Sequence, residues 1–196
     1  MTPPDLWLAS RSPRRAELLR TLGVAFAPLD VEVDERLQPG EPAPDYVARL
    51  ARAKAAAGQR LAETRVPVLA ADTTVVCDTQ ILGKPADRAE GLAMLRLLAG
   101  RWHEVFTGVV VTSPDGGLHA ATVCTRVRFR PLDGAEIAAY WASGEPADKA
   151  GGYGIQGLGG ALVERIEGSY SNVVGLPLAE TLALLNAAQV PHRLRA

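Results

Sequence analysis

Apolar and polar residues alternate along this chain with two different periods, which follow each other from one end to the other. Short apolar runs predict strands, and longer segments with apolar residues three or four positions apart predict amphipathic helices. The predicted strands are 6–9, 66–76, 102–112, 118–129 and 161–166. The predicted helices begin near 13, 45, 85, 135 and 178 and end near 23, 61, 100, 142 and 188. Strands and helices in alternation predict an α/β fold.

Residues with special backbone preferences mark the ends of several elements. Ser12 suits the N-cap and Pro13 the first position of the first helix, which Gly23 is expected to end. Pro85 is expected to begin the third helix. Pro-Asp-Gly-Gly at 114–117 predicts a hairpin between the two longest strands. We see no linker between these segments, which predicts a single domain over residues 1–196.

Composition and charge limit the classes of partner. The chain has 21 basic and 22 acidic residues, a net charge of -1, so no bulk field draws it to nucleic acid or to an anionic membrane. An anionic substrate must therefore be held by local charge. We find no signal peptide pattern and no apolar run near the ~20 residues that a membrane helix needs. These observations predict a cytoplasmic protein.

The cysteines and histidines do not form a recognisable site. Cys77 and Cys124 lie in strand-like apolar runs, and we expect buried free thiols of a reducing compartment, with a disulfide as the alternative. The three histidines show no ligand spacing, so we interpret them as structural or surface residues.

The segment 10–15, Ser-Arg-Ser-Pro-Arg-Arg, lies where a strand turns into a helix N-terminus. Unpaired backbone N–H groups and the positive end of the helix dipole suit a phosphate there. Arg14 and Arg15 are acceptable in a first helical turn if an anion joins them, and guanidinium groups match phosphate oxygens. The alternative is a solvated basic turn.

Asp72 interrupts the apolar strand at 68–76 and is the strongest anomaly in the chain. An ionised carboxylate in such a strand is costly unless it is paired, hydrogen-bonded or bound to a metal. We interpret Asp72 as a metal ligand or a general base. The alternative is an aspartate at the strand end that caps a neighbouring loop.

Two lysines also occupy unusual positions. Lys54 follows Val47 by seven residues and Leu50 by four, which places it on or beside the apolar face of the second helix. It either snorkels outward or reaches into a polar cleft. Lys84, at the expected start of the third helix, is favourable there only near an anion, and the alternative is a solvated loop lysine.

An acidic segment and a glycine-rich segment complete the set of candidates. The three carboxylates within 32–35 could share a divalent cation, or they form a solvated acidic loop. Six glycines within 151–160 let the backbone approach a ligand, with Lys149 and Gln156 as polar handles. This segment matches neither the Walker nor the dinucleotide pattern. Cations for phosphates together with acids for a metal indicate phosphate-ester chemistry.

In their order along the chain, these segments resemble the motifs of the Maf family from Leu8 to about Leu184. The matching segments are 8–19, 34–35, 53–55, 71–73, 82–85, 125–129, 148–157 and 175–177. The resemblance implies a mixed twisted sheet with flanking helices and two lobes around a central cleft, similar to the inosine triphosphate pyrophosphatases. It also implies a nucleoside triphosphate pyrophosphatase that uses a divalent cation, Mg²⁺ or Mn²⁺.

The resemblance further implies roles for individual residues in catalysis. Asp72 and Glu35 would hold the metal, with Asp72 also as the base for the attacking water. Lys54 and Lys84 would join them as catalytic residues in a basic pocket that Lys149 completes.

The remaining implied roles concern the substrate. Ser10, Arg14 and Arg15 would bind the phosphate tail. Arg14, Thr73 and Gln156 match positions tied to the choice of base, and the segment 149–157 looks like the branch that acts on dTTP and UTP. A glutamine amide can read the edge of a uracil ring because it both donates and accepts hydrogen bonds.

The resulting hypothesis is hydrolysis of dTTP, UTP and, as an extension, modified pyrimidine nucleotides to the monophosphate and pyrophosphate. The departures from the family pattern are Arg11, in a variable slot, and Gly152, where alanine is usual. The first alternative is a non-catalytic nucleotide-binding regulator of cell division or septum formation. The second is a phosphatase that releases orthophosphate. The oligomeric state stays open, with a homodimer as one alternative.

Overall fold

The computed structural model of this chain describes residues 4–62 and 66–195, so residues 1–3, 63–65 and 196 of the predicted domain lie outside the described residues. Within those ranges the strands are Leu6–Ala9 (β1), Phe26–Leu29 (β2), Val68–Cys77 (β3), Gln80–Leu82 (β4), Trp102–Thr112 (β5), Leu118–Phe129 (β6) and Val163–Glu167 (β7). The α-helices are Pro13–Thr21 (α1), Ala43–Leu61 (α2), Arg88–Leu98 (α3), Gly134–Ala142 (α4), Tyr170–Val174 (α5) and Leu178–Ala187 (α6). Short 3-10 helices occupy Glu145–Asp148, Ala150–Gly152 and Leu158–Leu162.

The strands form one mixed sheet. In the described part of the chain it has seven strands in the order β2-β1-β3-β5-β6-β7, with β4 paired to β3. β1 is parallel to β2 and to β3, whereas β4 is antiparallel to β3 and β7 is antiparallel to β6. A mixed sheet with helices between its strands confirms the predicted α/β class.

The chain divides into two compact units, each assembled from segments that are discontinuous in sequence. The first unit runs through Asp72 and adds Thr107–Val123 and the chain from Gly175 onward. The second unit consists of Thr73–Phe106 and Cys124–Val174. Because β3, β5 and β6 each supply residues to both units, a boundary between them has no linker that the sequence could reveal. The predicted cleft between two lobes stays a prediction.

Each unit has its own apolar core. In the first unit, fully buried leucines of β1 and α1 pack against Leu176 and against Leu185 of α6. In the second unit, Leu95 and Leu98 of α3 pack against Phe129 of β6. Burying one such side chain contributes about 1.5–3 kcal/mol, so these leucines hold the elements that carry the candidate site residues.

The structure confirms most of the predicted elements and corrects one helix start. β1, β5 and β6 have the predicted bounds, and the hairpin turn falls at 114–117. The prediction that Pro85 begins the third helix is wrong: α3 begins at Arg88, because the side chain of Asp87 accepts a hydrogen bond of 2.9 Å from the amide of Glu90 and caps it. β4 and α5 went unpredicted since three and five residues are too short to show a period.

Both cysteines are free, as predicted, but only Cys77 is buried, and Cys124 is exposed on β6. Among the helices in 4–62 and 66–195, none has the length and apolar character that a bilayer crossing requires.

Candidate active site

Lys54 links the two acidic residues that were assigned to a metal. Its ammonium nitrogen lies 2.6 Å from Oδ1 of Asp72 and 2.6 Å from Oε1 of Glu35. The side chains of Lys54 and Asp72 are 13% and 11% exposed, whereas that of Glu35 is 54% exposed. The first unit therefore contains a cluster of two carboxylates and one ammonium that is buried on one side and open on the other.

The local sequence explains why Lys54 points inward. Val47, Leu50 and Ala51 are fully buried and set the face of α2 that packs on the sheet. Lys54 follows Leu50 by one helical turn and so lies on the same face. Its ammonium consequently meets Asp72 in β3, which makes the alternative of an outward-snorkelling lysine wrong. Asp72 is paired with Lys54 in the interior of β3, so the loop-capping alternative for it is wrong as well.

The acidic segment 32–35 does not act as a unit. Asp34 pairs with Arg36, whose side chain and amide both donate hydrogen bonds to it and lower the pKa of Asp34 to about 2. Within the described residues, no group of three or more Asp, Glu, His or Cys side chains converges on a point that could hold a metal. A cation shared by three carboxylates of this segment is therefore wrong, and Glu35 alone turns toward Lys54.

The residues at Lys54 nevertheless fit a divalent cation. One oxygen of Asp72 and one of Glu35 converge on a single positively charged nitrogen. Mg²⁺ is commonly held by one or two carboxylates together with substrate phosphates and waters, so two convergent carboxylates are a sufficient protein contribution. The half-exposed Glu35 leaves one side of the cluster open to solvent.

Arg15 is held in a fixed orientation at the start of α1. Its Nε donates a hydrogen bond of 2.8 Å to the carbonyl oxygen of Gly175, and its Nη1 donates one of 3.2 Å to Oγ of Ser10. Burial lowers the pKa of the Arg15 guanidinium, while the negative charges of Asp72 and Glu35 act in the opposite direction. The guanidinium is thus within electrostatic range of both carboxylates.

The register of the sheet accounts for this proximity. β1 and β3 are parallel neighbours, with Leu8 opposite Leu69. Ser10 follows β1 directly, so it emerges at the sheet edge beside the part of β3 that carries Asp72. Ser12 caps α1 by accepting a hydrogen bond from the amide of Arg15 at 3.5 Å. The predicted N-cap is therefore confirmed, and it aims the start of α1 at this edge.

The two other arginines of segment 10–15 have different surroundings. Arg14 is half-buried in the first turn of α1. Arg11 is 69% exposed and pairs with the equally exposed Asp30 at 3.2 Å. An exposed pair of this kind contributes little to stability.

Tyr46 and Arg49, both on α2, contact this region and were not identified from the sequence. The hydroxyl of Tyr46 donates a hydrogen bond of 2.9 Å to the backbone carbonyl of Glu35. Burial, reinforced by the charges of Asp72 and Glu35, raises the pKa of Tyr46 to about 12, so the phenol is a donor at neutral pH. A tyrosine one position before a buried valine of an amphipathic helix gives no sequence signal of this contact.

The glycine-rich segment belongs to the second unit and is organised by Glu145. The Glu145 carboxylate accepts hydrogen bonds from the hydroxyl of Tyr140 at 2.8 Å and from the amides of Leu158 and Gly159 at 2.8 and 2.9 Å. Partial burial opposes ionisation of Glu145, but these hydrogen bonds outweigh it and lower its pKa. Lys149 donates to the Glu145 carbonyl at 2.7 Å and to Asp148 at 2.6 Å.

A second anchor of the same segment is Tyr153. Its hydroxyl lies 2.8 Å from Nε2 of His103 on β5, and both rings contact Phe129 edge-on. Burial lowers the pKa of His103 to about 4, so the imidazole is neutral at physiological pH. His103 is thus a structural residue, as the sequence predicted.

The other residues assigned to the substrate also lie in the second unit. Thr73 directly follows Asp72 in β3 and is half-buried. Lys84 is exposed in the segment between β4 and α3, four residues before the start of α3, so its expected place at a helix start is wrong. Gln156 is exposed in a turn. The roles given to these residues and to Lys149 stay predictions.

Comparison with known proteins relates most of this chain to one family. A family model described as Maf-like protein matches residues 5–188. A dTTP/UTP pyrophosphatase of Methylobacillus flagellatus is 57% identical over 181 residues, which cover 92% of this chain and 90% of that protein. A dTTP/UTP pyrophosphatase of Hahella chejuensis is 54% identical, with 92% and 90% covered. A nucleoside-triphosphatase/dITP/XTP pyrophosphatase structure from Mycobacterium abscessus has a TM-score of 0.42 and 20% identity, with 63% of this chain and 73% of that chain covered.

Proposed function

This chain belongs to the Maf family, and we propose that it hydrolyses dTTP and UTP to the nucleoside monophosphate and pyrophosphate. Relatives that are 57% and 54% identical over most of the chain carry the name dTTP/UTP pyrophosphatase. The observation that carries the proposal is the cluster of Asp72, Glu35 and Lys54, with Arg15 in electrostatic range. The cluster places carboxylates that can bind a cation beside positively charged side chains that can bind a phosphate, all at one edge of the sheet.

The proposed reaction is attack of water on the α-phosphorus. The water oxygen bonds to that phosphorus, the bond from it to the oxygen bridging the α- and β-phosphates breaks, and pyrophosphate leaves. Asp72 accepts the proton of the attacking water, since a carboxylate within hydrogen-bond reach of the water can act as general base. The ammonium of Lys54 stabilises the negative charge that develops on the phosphoryl oxygens.

The phosphate tail is proposed to bind at the start of α1. Backbone N–H groups and the helix dipole favour an anion there, and Arg15 adds a guanidinium already oriented by Ser10 and Gly175. Arg14 extends the same cationic edge. This arrangement orients the nucleotide before reaction, which removes part of the entropic barrier.

Asp72 and Glu35 are the residues proposed to hold Mg²⁺ or Mn²⁺. A bound divalent cation would offset phosphate charge and lower the pKa of water, which reduces the need for a strong base. A cytoplasmic location, action without nucleic acid or membrane, a single domain and a homodimeric state stay predictions.

The two alternative functions differ from the proposed one in turnover or in product. A regulator that binds nucleotide without turnover has no need of a carboxylate that is nearly enclosed, because burying that charge is costly. An orthophosphate-releasing phosphatase would use the same groups on a different phosphorus. Identifying the reaction products, or finding none, distinguishes the proposed function from both alternatives.

The test is an assay of the purified protein with Mg²⁺ or Mn²⁺ on a panel of nucleoside triphosphates that includes dTTP, UTP and modified pyrimidines. Pyrophosphate and the monophosphate are expected, resolved by phosphorus NMR and ion-exchange chromatography. Orthophosphate as the primary product would establish the phosphatase, and tight nucleotide binding without hydrolysis under several metals would establish the regulator.

The matched variant is Asp72→Asn, which removes the proposed base with almost no change of shape. Loss of a general base should lower kcat by about 10²–10⁴-fold. The control is Asp45→Asn, an exposed aspartate on α2. Urea unfolding of each variant checks that the protein is folded, and equal turnover by Asp72→Asn and wild type would exclude Asp72 from catalysis.

A further inference from the structure

Glu35 is the most exposed member of the cluster that it forms with Lys54 and Asp72, and it lies outside regular secondary structure. Lys54 and Asp72 are fixed by α2 and β3, whereas Glu35 lies in the segment between β2 and α2. Its side chain is 54% exposed. Ordering a residue of an irregular segment costs conformational entropy, so a defined Glu35 position requires contacts that hold its backbone.

Two side chains of α2 supply such contacts. The hydroxyl of Tyr46 donates a hydrogen bond of 2.9 Å to the carbonyl of Glu35. Arg49 donates through Nη2 at 3.1 Å to the carbonyl of the next residue, Arg36. Consecutive carbonyls are thus held by two residues one helical turn apart, on the same helix that carries Lys54.

Arg49 is in turn fixed by the far end of the same segment. Its Nε and Nη2 donate to the two carboxylate oxygens of Glu41 at 2.6 and 2.7 Å, a bidentate pair. Glu41 also accepts a hydrogen bond from the amide of Gln38 at 3.2 Å. The Arg49 guanidinium lies 5.6 Å from the centre of the Tyr46 ring, which packs the two side chains together.

We infer that Tyr46 and Arg49 are positioning residues that hold Glu35 beside Asp72, and thereby give the cluster its affinity for a divalent cation. The inference rests on the proposed function only in taking Glu35 as a residue that serves the cation. It assigns roles to two side chains that are not themselves proposed as ligands of the cation. Residues that orient a ligating group typically change metal affinity or activity by about 10–100-fold when altered.

The principal test is Tyr46→Phe, which deletes one hydroxyl and keeps the ring. Binding of Mn²⁺ alone to the full chain is followed by the free-ion signal in electron paramagnetic resonance. We expect weaker Mn²⁺ binding by about tenfold or more. Pyrophosphate release from dTTP should need correspondingly more Mn²⁺ for half-maximal rate, while kcat at saturating Mn²⁺ returns close to the wild-type value. A loss confined to folding would lower kcat at every Mn²⁺ concentration instead.

Two further variants serve as comparisons. Tyr170→Phe removes an exposed tyrosine hydroxyl elsewhere and should leave both titrations unchanged. Arg49→Lys keeps the charge opposite Glu41 but loses the planar fork that also reaches Arg36, so it should shift Mn²⁺ binding in the same direction. It serves in place of Tyr46→Phe if that variant does not fold.

Glu35→Gln separates failure of the inference from failure of the proposed function. If Glu35→Gln loses Mn²⁺ binding while folded Tyr46→Phe or Arg49→Lys binds Mn²⁺ like wild type, the positioning role is overturned and the metal site stands. If wild type and Glu35→Gln bind Mn²⁺ and release pyrophosphate alike, Glu35 does not serve the cation, and the proposed function fails at that residue.

Discussion

The ammonium of Lys54 lies 2.6 Å from Oδ1 of Asp72, a residue that belongs to a strand eighteen positions further along the chain. Both side chains are almost enclosed, so each charge depends on the other for compensation. In such a pair the removal of one partner costs far more than the pair itself contributes, because the remaining charge stays buried without compensation.

Lys54→Met should therefore destabilise the protein strongly. We expect a loss of about 3–5 kcal/mol in the free energy of unfolding, measured by urea denaturation at neutral pH. Arg52→Met, at an exposed position of the same helix, is the control and should change stability little. The double variant Lys54→Met/Asp72→Asn, which has no uncompensated carboxylate at position 72, should recover part of the loss. Equal unfolding midpoints for Lys54→Met and wild type would show that the pair is not buried as described.

Arg15→Lys should weaken substrate binding although the positive charge is kept. A lysine ammonium cannot donate to Gly175 and Ser10 in the geometry of the guanidinium fork. Since a hydrogen bond that involves a charged group contributes about 1.5–3 kcal/mol, kcat/KM for dTTP should fall by about tenfold or more. Arg20→Lys, on the last turn of α1, should retain wild-type kinetics. Steady-state assays over a range of dTTP concentrations decide the matter, and unaltered kcat/KM in Arg15→Lys would contradict it.

His103 should make the protein acid-sensitive in a defined window. Its folded pKa of about 4 lies below the ordinary 6.5, so between these pH values the unfolded chain binds a proton at His103 and the folded chain does not. The stability is fully present above pH 6.5 and is lost as the pH falls from there to about 4. The expected loss is about 3 kcal/mol. His103→Gln should remove this slope from a plot of unfolding free energy against pH, whereas His119→Gln should not. A wild-type curve that is flat from pH 6.5 to 4.5 would refute the assignment.

Protonation of Glu145 should loosen the glycine-rich segment, at a pH below the range in which His103 acts. Its folded pKa is depressed below 4.5, so the carboxylate contributes stability above that pH, and this contribution is lost as the pH falls through the folded pKa. Glu145→Gln keeps the shape but offers one acceptor oxygen to the three donors that now meet the carboxylate, a loss of about 1–3 kcal/mol.

The measurement is amide hydrogen exchange at Leu158 and Gly159. The protection factors of both amides, corrected for the intrinsic exchange rate at each pH, should fall in Glu145→Gln at neutral pH, and in wild type only under acidic conditions. Glu164→Gln, a partner in a surface ion pair with Arg128, provides the control. Unchanged protection of both amides in Glu145→Gln would mean that the carboxylate does not organise this segment.

Local chemistry determined much of the fold from the sequence. Ser12 and Pro13 marked the start of α1 because an N-cap hydroxyl and a fixed φ angle act within one helical turn. β5 and β6 were predicted with their observed bounds since long apolar runs joined by a glycine turn have few other structures. Asp72 stood out for the same kind of reason, as the one charged residue within a mostly apolar strand.

Only the tertiary structure decided what those residues contact. The sequence allowed Lys54 to point outward or inward, and only the packing of α2 against β3 showed that it points inward. Likewise, only the structure showed that Asp34 pairs with Arg36, which leaves Glu35 as the acidic residue that contacts Lys54. Tyr46, Arg49 and Glu145 left no trace in the hydrophobic pattern. The hydrogen bonds of these three side chains to backbone groups join residues 11 to 14 positions apart, and such pairings follow from the packing of whole elements. Periodicity records which face of an element is buried, but not which polar group it will meet there.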